Sequence, residues 1–318
     1  KIIGRRMMLS EALFAQHKFE EGWIVYEDRW GLHEDIKHSK PKPKFSRPEW
    51  EPNLGYKNIL VWGEQGLGDQ ILHGTILEDF AKKFEKVYLA IDPRLLQLFQ
   101  DSYPQISVFS IFDEINQDFF DYQIPLCSIG RYCRNRIDDF LPLQNARYQI
   151  LNKVYPREKN KLRCALSWKS VKGIRSENKN LELKDLLKIL QIEDIDFFNI
   201  QYSDEQEEIN ALKENHNISL EKPEGIDTYK DIYGLMDFID SCDFVITTSN
   251  TNAHLAGALG KKTYLLLPNA YGKLWYWDNE HNGTNVWYPS IQKFEQKEIG
   301  DWTGPVDEVY DMISQIKF

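Results

Sequence analysis

Apolar positions along this chain follow two periods. Short β-branched and aromatic runs read as strands: Lys57–Trp62, Lys86–Ile91, Ile106–Phe109, Phe120–Pro125, Arg163–Trp168, Ile195–Gln201, Phe244–Thr248 and Thr263–Leu267. Between them, apolar residues recur at helical spacing. Leu72, Ile76, Phe80 and Phe84 predict one helix from Gln70, and further helices are predicted over Pro93–Phe99, Leu181–Leu190, Asp204–Glu214, Tyr229–Ser241 and Ala253–Leu259. Gly260 is placed to end the last of these as a left-handed cap. Strand alternating with helix predicts parallel sheets covered by helices on both faces. The pattern runs to about residue 155, turns polar at Tyr155–Lys161, and restarts at Arg163. Two successive doubly wound domains with a ligand-binding cleft between them are therefore expected.

Ahead of these domains, Met7–Trp30 reads as two short helices, Leu9, Leu13 and Phe14 on one face and Phe19–Tyr26 starting a second. With Gly22, Trp23 and Tyr26 at packing positions, the pair resembles one tetratricopeptide unit. One such unit cannot bury its face alone, so it must dock on the body or on repeats upstream. Lys37–Pro52, rich in Lys and Pro, reads as a linker or wrapping segment. The expected division is a helical segment with linker over 1–48, one α/β domain over 49–158 and another over 159–318.

Composition narrows the function. With 318 residues, 42% of them hydrophobic, the chain can bury one large or two ordinary cores. A formal charge of −10 argues against a nucleic-acid partner, which needs a basic face. No run of apolar residues is long enough to span a membrane. The chain begins Lys-Ile-Ile, as an excised fragment would, and its start has no secretory signal pattern, so a cytoplasmic location is expected. Cys127, Cys133, Cys164 and Cys242 form no CxxC and read as buried thiols. No metal-ligand spacing is present, and no metal or other cofactor is expected.

Two polar turns carry the candidate chemistry, each at the carboxyl end of a strand and the start of a helix, where free N–H groups and the helix dipole favour anions. One is Ser249-Asn250-Thr251-Asn252, followed by His254 inside an apolar helix start. The other is Gly63-Glu64-Gln65-Gly66-Leu67-Gly68-Asp69, in which Gly66 and Gly68 permit torsions closed to other residues. Ser249 and Asn250 also suit helix capping, and Asp69 sits where a capping carboxylate would sit. Between Lys169 and Lys179, four cations (Lys169, Lys172, Arg175, Lys179) face one acid, Glu177, which suits either a diphosphate-holding loop or a solvated charged loop. Trp275, Tyr276, Trp277, Trp287 and Tyr288 are either core packing or a platform for a sugar or base.

GEQGLGDQI at Gly63–Ile71, LSWK at Leu166–Lys169, TSNTNAHLAGALGKKTYLLLP at Thr248–Pro268 and the Trp275–Trp277/WYPS arrangement together carry a resemblance. From about Leu9 onward the chain resembles the bacterial tetratricopeptide-linked glycosyltransferases, related to the heptosyltransferases of glycosyltransferase family nine. The resemblance implies a GT-B architecture, with two Rossmann-like domains facing a cleft, acceptor on the first and nucleotide-sugar on the second. It also implies a last helix, within Gly300–Phe318, that packs back on the first domain. Asp69 corresponds to the general base. Gln65, Gly66 and Gly68 beside it, and Trp168, Lys169, Lys179, Gln201, Ser249, Asn250, Thr251 and His254, correspond to substrate- or donor-binding positions. One departure, Ser249 where heptosyltransferases have an acid, points away from an ADP-heptose donor. The expected activity is metal-independent transfer of a sugar from a nucleotide donor to a hydroxyl of a protein or surface glycan. A nucleotide-sugar epimerase on the same fold and a non-catalytic nucleotide-sugar-binding or interaction module are the alternatives.

Overall fold

The computed structural model describes residues 2–31, 42–141, 148–150, 153–158, 160–170, 177–269 and 272–316. The chain forms two compact units, one comprising Lys1–Leu143 with Trp275–Trp287, the other Gln144–Leu274 with Tyr288–Phe318. Among the described residues no helix is long and apolar enough to cross a membrane.

In the first unit, β1 (Asn58–Trp62), β2 (Lys86–Ile91), β3 (Ser107–Ser110) and β4 (Tyr122–Pro125) form a parallel sheet in the order β3-β2-β1-β4. Ile59, Leu60, Val61 and Trp62 are all buried, so β1 is the continuous apolar run that a two-sided sheet requires. The segment before it wraps rather than hangs free. Trp50 donates its N–H to the Gln123 carbonyl at 2.8 Å, and Gln123 donates to Pro48 at 3.0 Å, which lays Pro48–Trp50 beside β4. The first part of the predicted linker, residues 37–41, lies outside the described residues.

The helix predicted from Gln70 is two helices, α3 (Leu67–Gly74) and α4 (Leu77–Ala81), following α1 (Ile2–Ala15) and α2 (Phe19–Tyr26). Gly74 is a weak helix former, and the Thr75 hydroxyl takes the Leu72 carbonyl at 2.6 Å, so the regular ladder stops there. α1 and α2 pack by aromatic contacts. A Cβ on Gly22 would lie 2.6 Å from the Phe14 ring, and one on Gly130 2.4 Å from the Trp23 ring. The Trp23 indole also donates to the Arg134 carbonyl at 2.7 Å, which pins the helix pair to the unit.

Trp275–Trp287 of the aromatic stretch belong here, against a division by chain order that assigns them to the second domain, whereas Tyr288 lies in the second unit. Trp275 stacks on Phe14 with ring centroids 4.1 Å apart, and Trp287 packs edge-on against Phe140 at 4.9 Å. These rings are core, which settles their ambiguity toward packing. Between them Asn282 and Gly283, both at positive φ, close a two-residue hairpin of β9 (Glu280–His281) and β10 (Thr284–Asn285).

In the second unit, β5 (Leu162–Ser167), β6 (Ile195–Asn199), β7 (Phe244–Thr248), β8 (Thr263–Leu267) and β11 (Ile291–Glu295) are parallel, in the order β11-β8-β7-β5-β6. The helices α5 (Leu96–Ser102) of the first unit and α6 (Leu187–Leu190), α7 (Gln206–His216) and α8 (Ile232–Ser241) of the second lie near their predicted places. α9 (Thr251–Ala258) ends as expected: Gly260 is at φ 72°, with Lys261 N–H on the Ala256 carbonyl and Gly260 N–H on that of Gly257. That pairing is a Schellman cap. β11 was not predicted, since Gln292 and Lys293 dilute its apolar run. The last helix, α10 (Thr303–Ile313), corrects the expectation that it packs on the first domain. Its buried Val306, Val309 and Ile313 join the second unit's core with Leu166, Ile246, Leu266 and Phe294. A helix packs where its apolar stripe finds a matching face, and the β8–β11 face supplies it.

Gly130→Ala should therefore lower stability by about 1–3 kcal/mol, because the added methyl cannot coexist with the Trp23 ring. Denaturant unfolding measures the loss, and limited proteolysis should cut first between α2 and β1; an unchanged midpoint would contradict this packing.

Candidate functional site

In each sheet the chain leaves the first strand toward one side and returns on the other, and at that reversal the carboxyl ends of two adjacent strands open a crevice. In the second unit the reversal falls between β5 and β7. Both polar segments predicted to hold the donor lie there, Ser167–Lys169 after β5 and Thr248–Thr251 after β7.

Asn250 is the hinge pin of this edge. Its Oδ1 caps α9 by accepting the Asn252 N–H at 2.9 Å, while its Nδ2 donates to Ser167 Oγ and to the Lys169 carbonyl, each at 3.1 Å. Ser167 and Thr247 hydroxyls share a hydrogen bond of 2.6 Å beneath it. Gln201, beyond β6, braces the same loop from the other side. Its Oε1 accepts the Trp168 and Lys169 N–H groups at 3.1 Å, and its Nε2 donates to the Lys169 carbonyl and Ser203 Oγ. Fully buried and bonded through both ends of its amide, Gln201 acts in this structure as a clip on the loop.

The cations divide. Lys169 pairs with Glu205 at 2.5 Å and with Glu208, and although burial opposes its charge, these carboxylates raise its pKa. Glu208 also accepts the Trp168 indole N–H at 3.1 Å, so Trp168, fully buried, and Lys169 are tied to α7. Lys172 and Arg175 lie outside the described residues. Lys179 is nearly buried, and its carbonyl accepts the Thr248 hydroxyl at 2.5 Å, which joins the end of the basic loop to the turn. Its charge reaches His254. Burial first, and Lys179 second, hold the His254 imidazole down at about 3, with its Nδ1 at 3.1 Å from the Tyr288 hydroxyl. The His254 imidazole is thus neutral, and of the turn residues before it Ser249 is buried and Thr251 half-buried.

In the first unit the reversal falls between β1 and β4. Asp69 occupies the third position of α3 and accepts the Gly66 N–H at 3.0 Å, a cap in fact as well as by position. The left-handed residue of this turn is Gln65, at φ 60°, which corrects the expectation for Gly66 (φ −80°) and for Gly68, which is helical. The glycine with the clearest steric duty is Gly63, where a Cβ would fall 2.6 Å from Gln70 Oε1.

Sequence reasoning missed the charged group beside this turn. Glu64 is buried and pairs with Arg29, which follows α2, at 2.5 Å, and Arg29 also donates to Ser128 Oγ at 2.7 Å and to Glu27 at 2.9 Å. Burial opposes the guanidinium's charge, yet Glu64 and Glu27 raise its pKa well above the ordinary value. Only Glu64 carried a sequence signal, by lying inside the glycine-rich turn. Burial, then the charges of Glu64 and Asp69, push the nearby Cys127 thiol well up, so it is not a nucleophile at neutral pH. A separate cavity of ≈ 220 Å³ in this unit is lined by Phe45, Trp62, Ala90, Ile111 and Phe120, with Asp113 and Glu114.

The state of His254 sets a pH dependence. Folded, it stays neutral down to about pH 3; unfolded, it takes a proton near 6.5. The unfolded chain therefore binds more protons between these values, and the stability is full above about pH 6.5 and falls as pH drops toward 3. By pH 4.5 the loss is about 2–3 kcal/mol. Unfolding of the parent and of His254→Asn at pH 7.5 and 4.5 should show the parent's advantage shrinking by that amount; a gap independent of pH would contradict a neutral, buried His254.

No family model matches the chain. Among curated proteins it is 27% identical over 321 residues to the protein FlbA of Caulobacter vibrioides, covering 91% of this chain and 51% of FlbA, so the chain spans about half that relative's length. Among solved structures it is similar to the E. coli ADP-heptose LPS heptosyltransferase II, with a TM-score of 0.55 and 10% identity, over 81% of this chain and 97% of that one. It is also similar to a glycosyl transferase family 9 protein of Veillonella parvula, with a TM-score of 0.53 and 12% identity, over 84% and 98% of the two chains. At such identity the likeness establishes the fold alone: two parallel-sheet α/β units like those of these structures.

Proposed function

We propose that this protein is a glycosyltransferase that moves a sugar from a nucleoside-diphosphate donor to an acceptor hydroxyl on a protein or glycan. The observation that carries the reading is the second unit's switch point. There Asn250 draws the ends of β5 and β7 and the start of α9 into one braced edge, with Lys179 bonded to it through Thr248. A diphosphate there would meet the start of α9 and the Lys179 cation beside it. The heptosyltransferase and family 9 structures add support by likeness of fold.

In this reading Lys179, Ser249, Thr251 and the α9 start hold the donor's diphosphate, while Asn250, Gln201, Trp168 and Lys169 keep that edge in shape. Asp69 takes the proton of the acceptor hydroxyl. The oxygen bonds to the anomeric carbon, the bond from that carbon to the phosphate oxygen breaks, and its electron pair leaves with the nucleoside diphosphate. Lys179 and the helix start meet the departing charge, so no metal ion enters the scheme. Gln65, Gly66 and Gly68 set the turn that presents Asp69, and the cavity beside Trp62 offers apolar and carboxylate surface to an acceptor.

A second reading has its own observation. Because Asp69 caps α3 through Gly66, it fulfils a structural duty whether or not the protein turns over, as a nucleotide-sugar-binding or interaction module would require.

Asp69→Asn separates the two, since the amide oxygen can still accept the Gly66 N–H while proton abstraction is lost. Transfer should fall by about 10²–10⁴-fold with little change in melting temperature or donor affinity. Turnover within about threefold of the parent would remove Asp69 as base. Screening UDP-, GDP-, ADP-, CMP- and dTDP-sugars by thermal shift identifies the donor. Lys179→Ala should then weaken it by about 1.5–3 kcal/mol, whereas unchanged affinity would remove the loop from the site.

A further inference from the structure

We propose that Arg29, carried just beyond α2, is the positioning residue for the glycine-rich turn of the first unit, joining the two lips of that unit's switch-point crevice. The inference rests on the reading of Asp69 as the group that meets the acceptor. Glu64 follows the end of β1 and Ser128 follows the end of β4, and these strands pair side by side at the reversal of the sheet. One guanidinium holds both: its Nη2 donates to Glu64 Oε1 at 2.5 Å and to Ser128 Oγ at 2.7 Å. Nε donates to both Glu64 oxygens at 3.2 Å, and Nη1 to Glu27 at 2.9 Å and the Tyr26 carbonyl at 3.3 Å. That arrangement occupies the fork's donors on every side. The Tyr26 and Trp30 rings hold the guanidinium carbon at 4.6 and 4.8 Å from their centroids.

Docking the helix pair does not call for this group. Phe14 packs on Trp23 and Trp275, and the Trp23 indole is already bonded to Arg134. A buried ion pair is a poor choice for mere adhesion, because the desolvation of two charges offsets most of their attraction. What it supplies is direction. Glu64 immediately precedes Gln65, whose left-handed backbone turns the chain toward Gly66, and Asp69 closes the same turn on the Gly66 N–H. Arg29 thus fixes where the turn begins, and Asp69 where it ends. Lysine, with a single ammonium, cannot hold two lips and a second carboxylate in one plane.

The test uses the whole chain. Arg29→Met with Glu64→Leu removes the buried pair and leaves only Glu27, which is partly exposed, without its cation, so melting should stay within a few degrees of the parent. Amides of residues 64–70 should nevertheless exchange at least tenfold faster, and kcat should fall tenfold or more with donor KM unchanged. Arg29→Lys should recover part of both. Ser128→Ala cuts only the β4 lip and keeps the ion pair, so it tests the same claim if the double variant does not fold, with kcat down about threefold or more at unchanged melting temperature. Parent-like exchange and parent-like kcat in the double variant, or in Ser128→Ala, would reduce Arg29 to a latch for the helix pair. If the parent transfers no sugar from any donor, the glycosyltransferase reading fails, and the exchange measurement alone decides the role of Arg29.

Discussion

A parallel sheet buried on both faces has one place where polar chemistry can gather: the carboxyl ends of its strands, where the chain reverses direction across the sheet. Both units of this protein depend on that constraint. β1 and β7 are apolar and buried along almost their whole length, so their functional groups come after the strand, in the turn to the next helix. In the second unit the turn is closed by Asn250, and in the first by Asp69 and Arg29. The close hydrogen bonding of these edges follows from burial, because each unpaired polar atom there would cost about 1–3 kcal/mol.

The electrostatics of the second unit's crevice edge differ from what a charge count suggests. In a chain of net charge −10, a cation-rich loop invites a phosphate. Yet Lys169, the first of its cations, is held by Glu205 and Glu208 and serves to fasten Trp168 and the β5 loop to α7. Lys179, by contrast, is joined to the turn itself through Thr248, and its field is felt at His254. Two cations of one loop thus have separate duties, and an affinity built on that edge would rest on few charges.

The helix pair at the start belongs to the first unit rather than standing beside it. Its aromatic face meets Trp275, and its last turn sends Arg29 into the crevice beside Glu64 and Ser128. Segments distant in the chain, at 14–29, 64, 128 and 275–287, therefore share one environment.

By itself the sequence determined the alternation of strands and helices, the parallel class of both sheets, the two polar turns, and the Gly260 cap, because each is written in local periodicity or in a residue with few conformational options. The α3–α4 break and β11 were less legible: one depends on a threonine hydroxyl capturing a carbonyl, the other on apolar residues interrupted by Gln292 and Lys293. The Asn282-Gly283 hairpin turn had a clear local signal in a stretch read only for its aromatics. What tertiary structure alone decided was partnership. That Lys169 meets Glu205 and Glu208, that Gln201 clips a loop after β5, that α10 covers β8 and β11, and that Arg29 meets Glu64 all join residues far apart in the chain. Such contacts depend on which apolar faces pack together, and no local pattern of residues encodes that choice.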